Sequence, residues 1–131
     1  MNARPQAWLQ QAKDDLGVAR LTRDNSYYPQ ACYFASQAAE KALKALILEL
    51  GAEPPHTHVL GELLKLLGQL GCELEALEAL PLRSLSRLSV TSRYPLEATP
   101  PAELFDRADA DQAIGTAEAV LSLVEALDQP L

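Results

Sequence analysis

The sequence predicts an all-α protein, a helical bundle of four to five helices. β-branched residues are scarce, and no stretch alternates apolar with polar residues long enough to line a half-buried strand. Apolar side chains recur instead with a helical period, and proline, glycine and asparagine mark where each run starts and stops. A chain of 131 residues supports one domain, residues 1–131, with a core of its own. Hydrophobic residues make up 48% and aromatic residues only 5%, so that core is aliphatic and the chain is not intrinsically disordered.

A first helix is expected from about Pro5 to Asp24. Proline suits a first helical turn, and Trp8, Ala12, Leu16 and Ala19 fall on one face. Asp24-Asn25-Ser26 carries turn chemistry. The second helix starts near Tyr28-Pro29 and runs to about Leu50, with Gly51 as its stop signal. Its stripe of Ala31, Ala35, Ala38, Ala42 and Ala45 admits a close neighbour, which makes the first two helices a tight antiparallel hairpin. Glu53-Pro54-Pro55-His56 is a connection, and a Leu-rich third helix covers about Val59 to Leu70. Glu73 to Ser89 reads as a fourth helical region broken near Pro81. An extended loop follows from Thr91 through Tyr94-Pro95 to Pro100-Pro101. The last helix begins between Pro101 and Asp109 and reaches Asp128, burying Ala113, Ala117, Val120, Leu121, Val124 and Leu127. Asp106, Asp109 and Asp111 lie near its start, where the helix dipole favours acids. No internal repeat or low-complexity tail is present.

The formal charge of −7 is unevenly spread. Residues 97–131 carry one basic and eight acidic side chains, which accounts for the whole of it. Between Leu80 and Leu96 there is no acid, while Arg83, Arg87 and Arg93 are present. An acidic chain is a poor nonspecific binder of nucleic acid, so no extended nucleic-acid surface is expected, although a local basic pocket for a small anion or an RNA end is compatible. The N-terminus has no apolar core of a signal peptide, and apolar runs such as Ala45 to Leu48 are far too short to span a membrane, so a soluble cytoplasmic protein is expected, with no membrane contact. Cys32 and Cys72 fit neither a disulfide framework nor a four-ligand zinc site and read as isolated, mostly buried thiols.

Three segments carry polar chemistry. In helix 2, Gln37, Lys41 and Lys44 share a face, and Glu40 stands one turn before Lys44 in the favourable order for an ion pair. The face is either ordinary solvated helix surface or part of an anion site. His56 and His58 enter helix 3 without Cys or acidic companions at metal-ligand spacing, so no metal is expected. His58 then either hydrogen-bonds or caps at the start of helix 3, or contacts a phosphate or ribose. In Arg93-Tyr94-Pro95, the guanidinium fork either meets a phosphate or carboxylate ligand or pins its loop to a carboxylate such as Glu40, and Tyr94 either stacks on a base or buries its ring. Arg83 and Arg87 either extend a basic wall toward Arg93 or are plain surface charges. No nucleophile–base motif, P-loop or dinucleotide fingerprint is present.

These residues in this order resemble the HEPN domain, the nucleotide-binding domain of higher eukaryotes and prokaryotes. The resemblance runs through Trp8, Ala12, Asp15-Leu16, Tyr28-Pro29-Gln30-Ala31, Gln37 to Leu46, Gly51, His58 to Leu60, Leu63-Leu64 and Ser92-Arg93-Tyr94-Pro95, with the domain core at about 6–127. It implies an antiparallel up-and-down bundle, usually a homodimer, related to the helical domain of kanamycin-type nucleotidyltransferases. It also implies a minimal nucleotidyltransferase as partner in a toxin-antitoxin-like pair. Many members are metal-independent endoribonucleases with an R-x4-6-H motif. Here Arg93 is followed by Tyr-Pro-Leu-Glu-Ala-Thr-Pro-Pro, and no histidine occurs from there to Leu131. The expectation is therefore a binding module rather than an enzyme. Lys41, Lys44, His58, Arg93 and Tyr94 would hold a nucleotide or phosphate, with no cofactor beyond that ligand. The alternative is a ribonuclease with a nonstandard site of His58 and Arg93.

Overall fold

The computed structural model describes residues 1–95 and 98–128, and every regular element in them is helical. The elements are α1 (Ala3–Asp24), α2 (Tyr28–Glu49), α3 (Leu60–Gln69), α4 (Glu75–Glu78), α5 (Leu82–Thr91), α6 (Pro101–Leu104) and α7 (Arg107–Asp128). Five helices of ten or more residues build the bundle, and α4 and α6 are single turns. Positions 96 and 97 of the expected loop lie outside the described residues, as do 129–131.

Local chemistry sets the boundaries. The α1–α2 turn is closed by the Asn25 amide donating to the Leu21 carbonyl at 2.8 Å, with Ser26 left-handed at φ +67°. Pro29 occupies the first turn of α2. At its far end Gly51, at φ +89°, donates to the Leu48 carbonyl while Ala52 N–H reaches Ile47, the paired bonds of a Schellman stop. Gly71 repeats this after α3, with Gly71 N–H on Gly68 and Cys72 N–H on Leu67. Pro81 separates α4 from α5. Asp106 and Asp109 cap α7 reciprocally, each carboxylate accepting the other's backbone N–H at 3.0 and 2.9 Å.

The core centres on α2. Ala31, Ala35, Ala38, Ala42 and Ala45 are all fully buried, and so are Leu43 and Ile47. Opposite them stand Ala12, Leu16 and Ala19 of α1 and Ala113, Ala117, Val120 and Val124 of α7. The alanine seam lets backbones approach closely, so α2 is enclosed and leaves little surface to solvent. Leu127 differs from its expected burial, being 39% exposed. It lies on the expected side of α7, but over an open groove of about 530 Å³ lined by Leu77, Leu123 and Ala126.

Ion pairs fix the helix directions. Lys13, Arg20 and Arg23 of α1 meet Glu125, Glu118 and Asp111 of α7, so the two run antiparallel and much of the acidity of α7 is matched within the chain. Cys32 and Cys72 are free, Cys32 buried and Cys72 partly so. Burial, with the nearby charges of Asp109 and Asp106, pushes the Cys32 thiol up to about 12, which leaves it a protonated core side chain at neutral pH. Among the described residues no helix is long and apolar enough to cross a membrane.

Candidate functional site

Tyr33, Gln37, Glu40 and Lys44 recur on α2 at i, i+4, i+7 and i+11 and so form one stripe along the helix. α5 lies beside this stripe in the opposite direction. Its Ser86 meets the His58 backbone near Glu40, and its end carries Arg93 to Tyr33. From Tyr33 to Glu40 is about 10.5 Å along the axis at ~1.5 Å per residue.

At the first position the Arg93 guanidinium lies between two rings, 4.8 Å from the centroid of Tyr33 and 5.0 Å from that of Tyr94. Arg93 Nε donates to the Ser89 carbonyl at 2.8 Å, which ties the head to the end of α5. Its terminal nitrogens meet no acceptor among the described residues, and both Arg93 and Tyr94 are exposed. Arg93 does not pin its loop to Glu40, whose carboxylate meets Lys44 and His58 instead. The rings hold the guanidinium by cation–π attraction and leave its hydrogen-bonding edge outward.

At the second position the Glu40 carboxylate is buried and accepts from two groups. Lys44 Nζ lies 3.1 Å from Oε2, and His58 Nδ1 lies 2.8 Å from Oε1. A carboxylate only accepts, so Nδ1 carries the hydrogen, and in the neutral ring Nε2 is left as the acceptor. The His58 side chain is 70% exposed, whereas those of Glu40 and Lys44 are 6% and 8% exposed. The Glu40–Lys44 pair is therefore interior, not solvated surface, and the His58 ring bonds across to α2 rather than capping α3.

Beyond it, Lys41 Nζ sits 2.5 Å from Asp15 Oδ2, and Gln11 donates to the other Asp15 oxygen at 3.1 Å. Trp8 neighbours both lysines, with Lys44 Nζ 6.0 Å from its ring centroid and Lys41 lining a shallow pocket beside it. Lys41 and Lys44 thus each spend their charge on a buried carboxylate. The five residues singled out from sequence divide accordingly. Arg93 and Tyr94 touch, His58 stands two helical turns along, and the lysines face inward toward α1.

Tyr33 and Ser86 complete the arrangement and were not singled out from sequence. Tyr33 carried one available signal, its spacing of seven residues before Glu40. Nothing local marks Ser86.

Charge pairing separates this face from the rest. Seven of the eleven Lys and Arg residues have a carboxylate partner: Arg4, Lys13, Arg20, Arg23, Lys41, Lys44 and Arg107. Among the described residues the other four, Lys65, Arg83, Arg87 and Arg93, have none, and all belong to α3, α5 or the residues just after α5. Arg83 and Lys65 border a groove of about 650 Å³ between α3, α4 and α5, and Arg87 borders one of about 220 Å³ between α5 and α7.

The sequence model of the HEPN domain matches residues 5–127. A protein of Methanocaldococcus jannaschii named "Putative toxin MJ1304" is 28% identical over 127 residues, spanning 90% of this chain and 84% of that protein. Among solved structures, TT1696 from Thermus thermophilus is similar with a TM-score of 0.82 and 31% identity, over 97% of this chain and 99% of that one. ST0689, described as an archaeal HEPN homologue, has a TM-score of 0.76 and 31% identity, over 93% and 95% of the two chains. An HEPN domain protein from Thermotoga maritima has a TM-score of 0.67 and 26% identity, over 92% and 96%.

Proposed function

The chain belongs to the HEPN domain family, and on that premise we propose that it is a toxin-like HEPN module whose α2–α5 face binds a phosphorylated ligand. Arg93 supplies the charged fork, Tyr94 a stacking surface and His58 a second hydrogen-bonding point, while Lys41 and Lys44 hold the frame behind them. The observation that carries this reading is that, among the described residues, the cations with no carboxylate partner are confined to α3, α5 and Arg93. Phosphate oxygens are natural partners for an arginine edge that meets no carboxylate among the described residues. The toxin-like role draws support from the kinship with the Methanocaldococcus jannaschii protein, and a nucleotidyltransferase partner from the family resemblance alone.

Calorimetric titration with a panel of nucleoside mono- and triphosphates, at low and physiological salt, tests the reading. Saturable binding that weakens as salt rises is expected, because charge-assisted contacts at an exposed site are screened. No saturable heat with any member of the panel would remove nucleotide recognition from the isolated protein.

A second reading, RNA cleavage, is favoured by the Glu40–His58 pair. A carboxylate that fixes Nδ1–H leaves Nε2 as a base at the surface, and Arg93 would stabilise charge developing on phosphorus. His58→Ala, with its fold intact, is then expected to abolish cleavage shown by the wild type. Absence of wild-type cleavage across a broad RNA panel would set this reading aside.

A further inference from the structure

α3 begins without a side-chain cap of its own. Its first backbone N–H, at Leu60, is taken from outside the segment by Ser86 Oγ of α5 at 2.8 Å. The same hydroxyl donates to the carbonyl of His58 at 3.1 Å. A serine hydroxyl has one hydrogen and two lone pairs, so it makes both bonds at once without sharing either. The backbone it grips is that of the residue whose ring bonds Glu40. His58 is thus held at two points, its ring by α2 and its main chain by α5.

From this geometry we propose that Ser86 is a positioning residue for His58. The two flanking residues, Thr57 and Val59, belong to an irregular connection, and most of the His58 side chain faces solvent, so packing does little to orient the ring. The Ser86 clamp instead sets the main-chain position from which the ring meets Glu40. Ser86 and Arg93 are seven residues apart, close to two helical turns. Tying the His58 main chain to α5 therefore also sets the distance between the imidazole and the guanidinium. The inference deepens the proposed function and rests on its reading that His58 and Arg93 serve one ligand. It adds that their relative placement is set from α5 as well as from α2.

A residue that merely capped α3 would change stability and nothing else, so the test reads the imidazole itself. Ring nitrogen NMR of the full chain, at a pH where the ring is neutral, reports the tautomer of His58, with exposed His56 as internal reference. Wild type is expected to show one dominant tautomer with hydrogen on Nδ1. Ser86→Ala is expected to shift His58 toward the mixed signature of His56, and Ser86→Thr to retain the wild-type signature. Ser86→Val, matched in shape to threonine, is expected to behave as Ser86→Ala, which keeps the test valid if the alanine variant folds poorly. A His58 signature unchanged in both Ser86→Ala and Ser86→Val, with only the melting temperature lowered, would overturn the proposal. Titration of the same variants with adenosine monophosphate separates the two readings. Severalfold weaker binding in Ser86→Ala supports both. A lost tautomer signature with no binding even in wild type upholds the clamp and removes the nucleotide.

Discussion

Glu40→Ala is expected to cost about 3–5 kcal/mol of folding stability, the penalty for leaving one member of a buried ion pair without its partner. Glu40 lies on α2, the most enclosed helix of the bundle, and its carboxylate is the acceptor that the structure gives the Lys44 ammonium. Without it, Lys44 retains the face of Trp8 at 6.0 Å, which offers a cation–π contact of about 0.5–2 kcal/mol and no hydrogen-bond acceptor. Domains of this kind are stable by only about 5–15 kcal/mol, so the loss is a large share of the total. Urea denaturation of the single variant and of Glu40→Leu with Lys44→Met checks the cause. The double variant is expected to recover most of the loss, because it removes both charges and fills the space with apolar atoms. Equal loss in single and double variants would mean that shape rather than charge sets the cost.

Arg93→Ala is expected to lower folding stability by only about 1 kcal/mol, as for an exposed side chain with one backbone hydrogen bond and two ring contacts. Ligand binding should weaken by about 1.5–3 kcal/mol, the usual cost of removing a charged hydrogen bond. At about 1.4 kcal/mol per factor of ten, that is a loss of roughly tenfold to a hundredfold or more in affinity. Arg93→Lys should recover only part of it, because an ammonium keeps the charge but not the planar fork or the stacking between Tyr33 and Tyr94. Arg20→Ala is the matched control, since Arg20 already pairs with Glu118 on the α1–α7 side. Equal affinity in Arg93→Ala and wild type would take Arg93 out of the site.

The helix ends were legible where a backbone rule applies locally. Pro29 opens α2, Gly51 and Gly71 close α2 and α3, and Pro81 parts α4 from α5, each through a constraint on φ or a missing donor. Leu127 shows the boundary of that legibility. Helical period says which way a side chain points, but not whether a neighbour reaches the last turn, and here an open groove lies beneath it. The pair Glu40 and Lys44 was legible as a contact but not as a buried one. Spacing brings the two together on any helix, whereas burial depends on α2 being packed on several sides. The abundance of alanine on several faces of α2 is the sequence feature that goes with such enclosure.

The site was legible in its parts and not in its wiring. Arg93 and Tyr94 are neighbours in sequence, so their contact required only a bend after α5. The union of His58 with Glu40 spans 18 positions, and that of Ser86 with His58 spans 28, so both depend on how α3 and α5 lie against α2. The distribution of acids was the sequence signal with most reach. The acid-free stretch from Leu80 to Leu96 contains three of the four cations that find no carboxylate among the described residues.

The most direct measurement of the central claim is a residue-by-residue NMR map of the isotope-labelled protein titrated with adenosine monophosphate. The account predicts saturable shifts concentrated on Tyr33, His58, Arg93 and Tyr94, with Lys13, Arg20 and their acidic partners unmoved. Shifts centred on α1 and α7, or none that saturate, would contradict it and leave the α2–α5 face as structure alone.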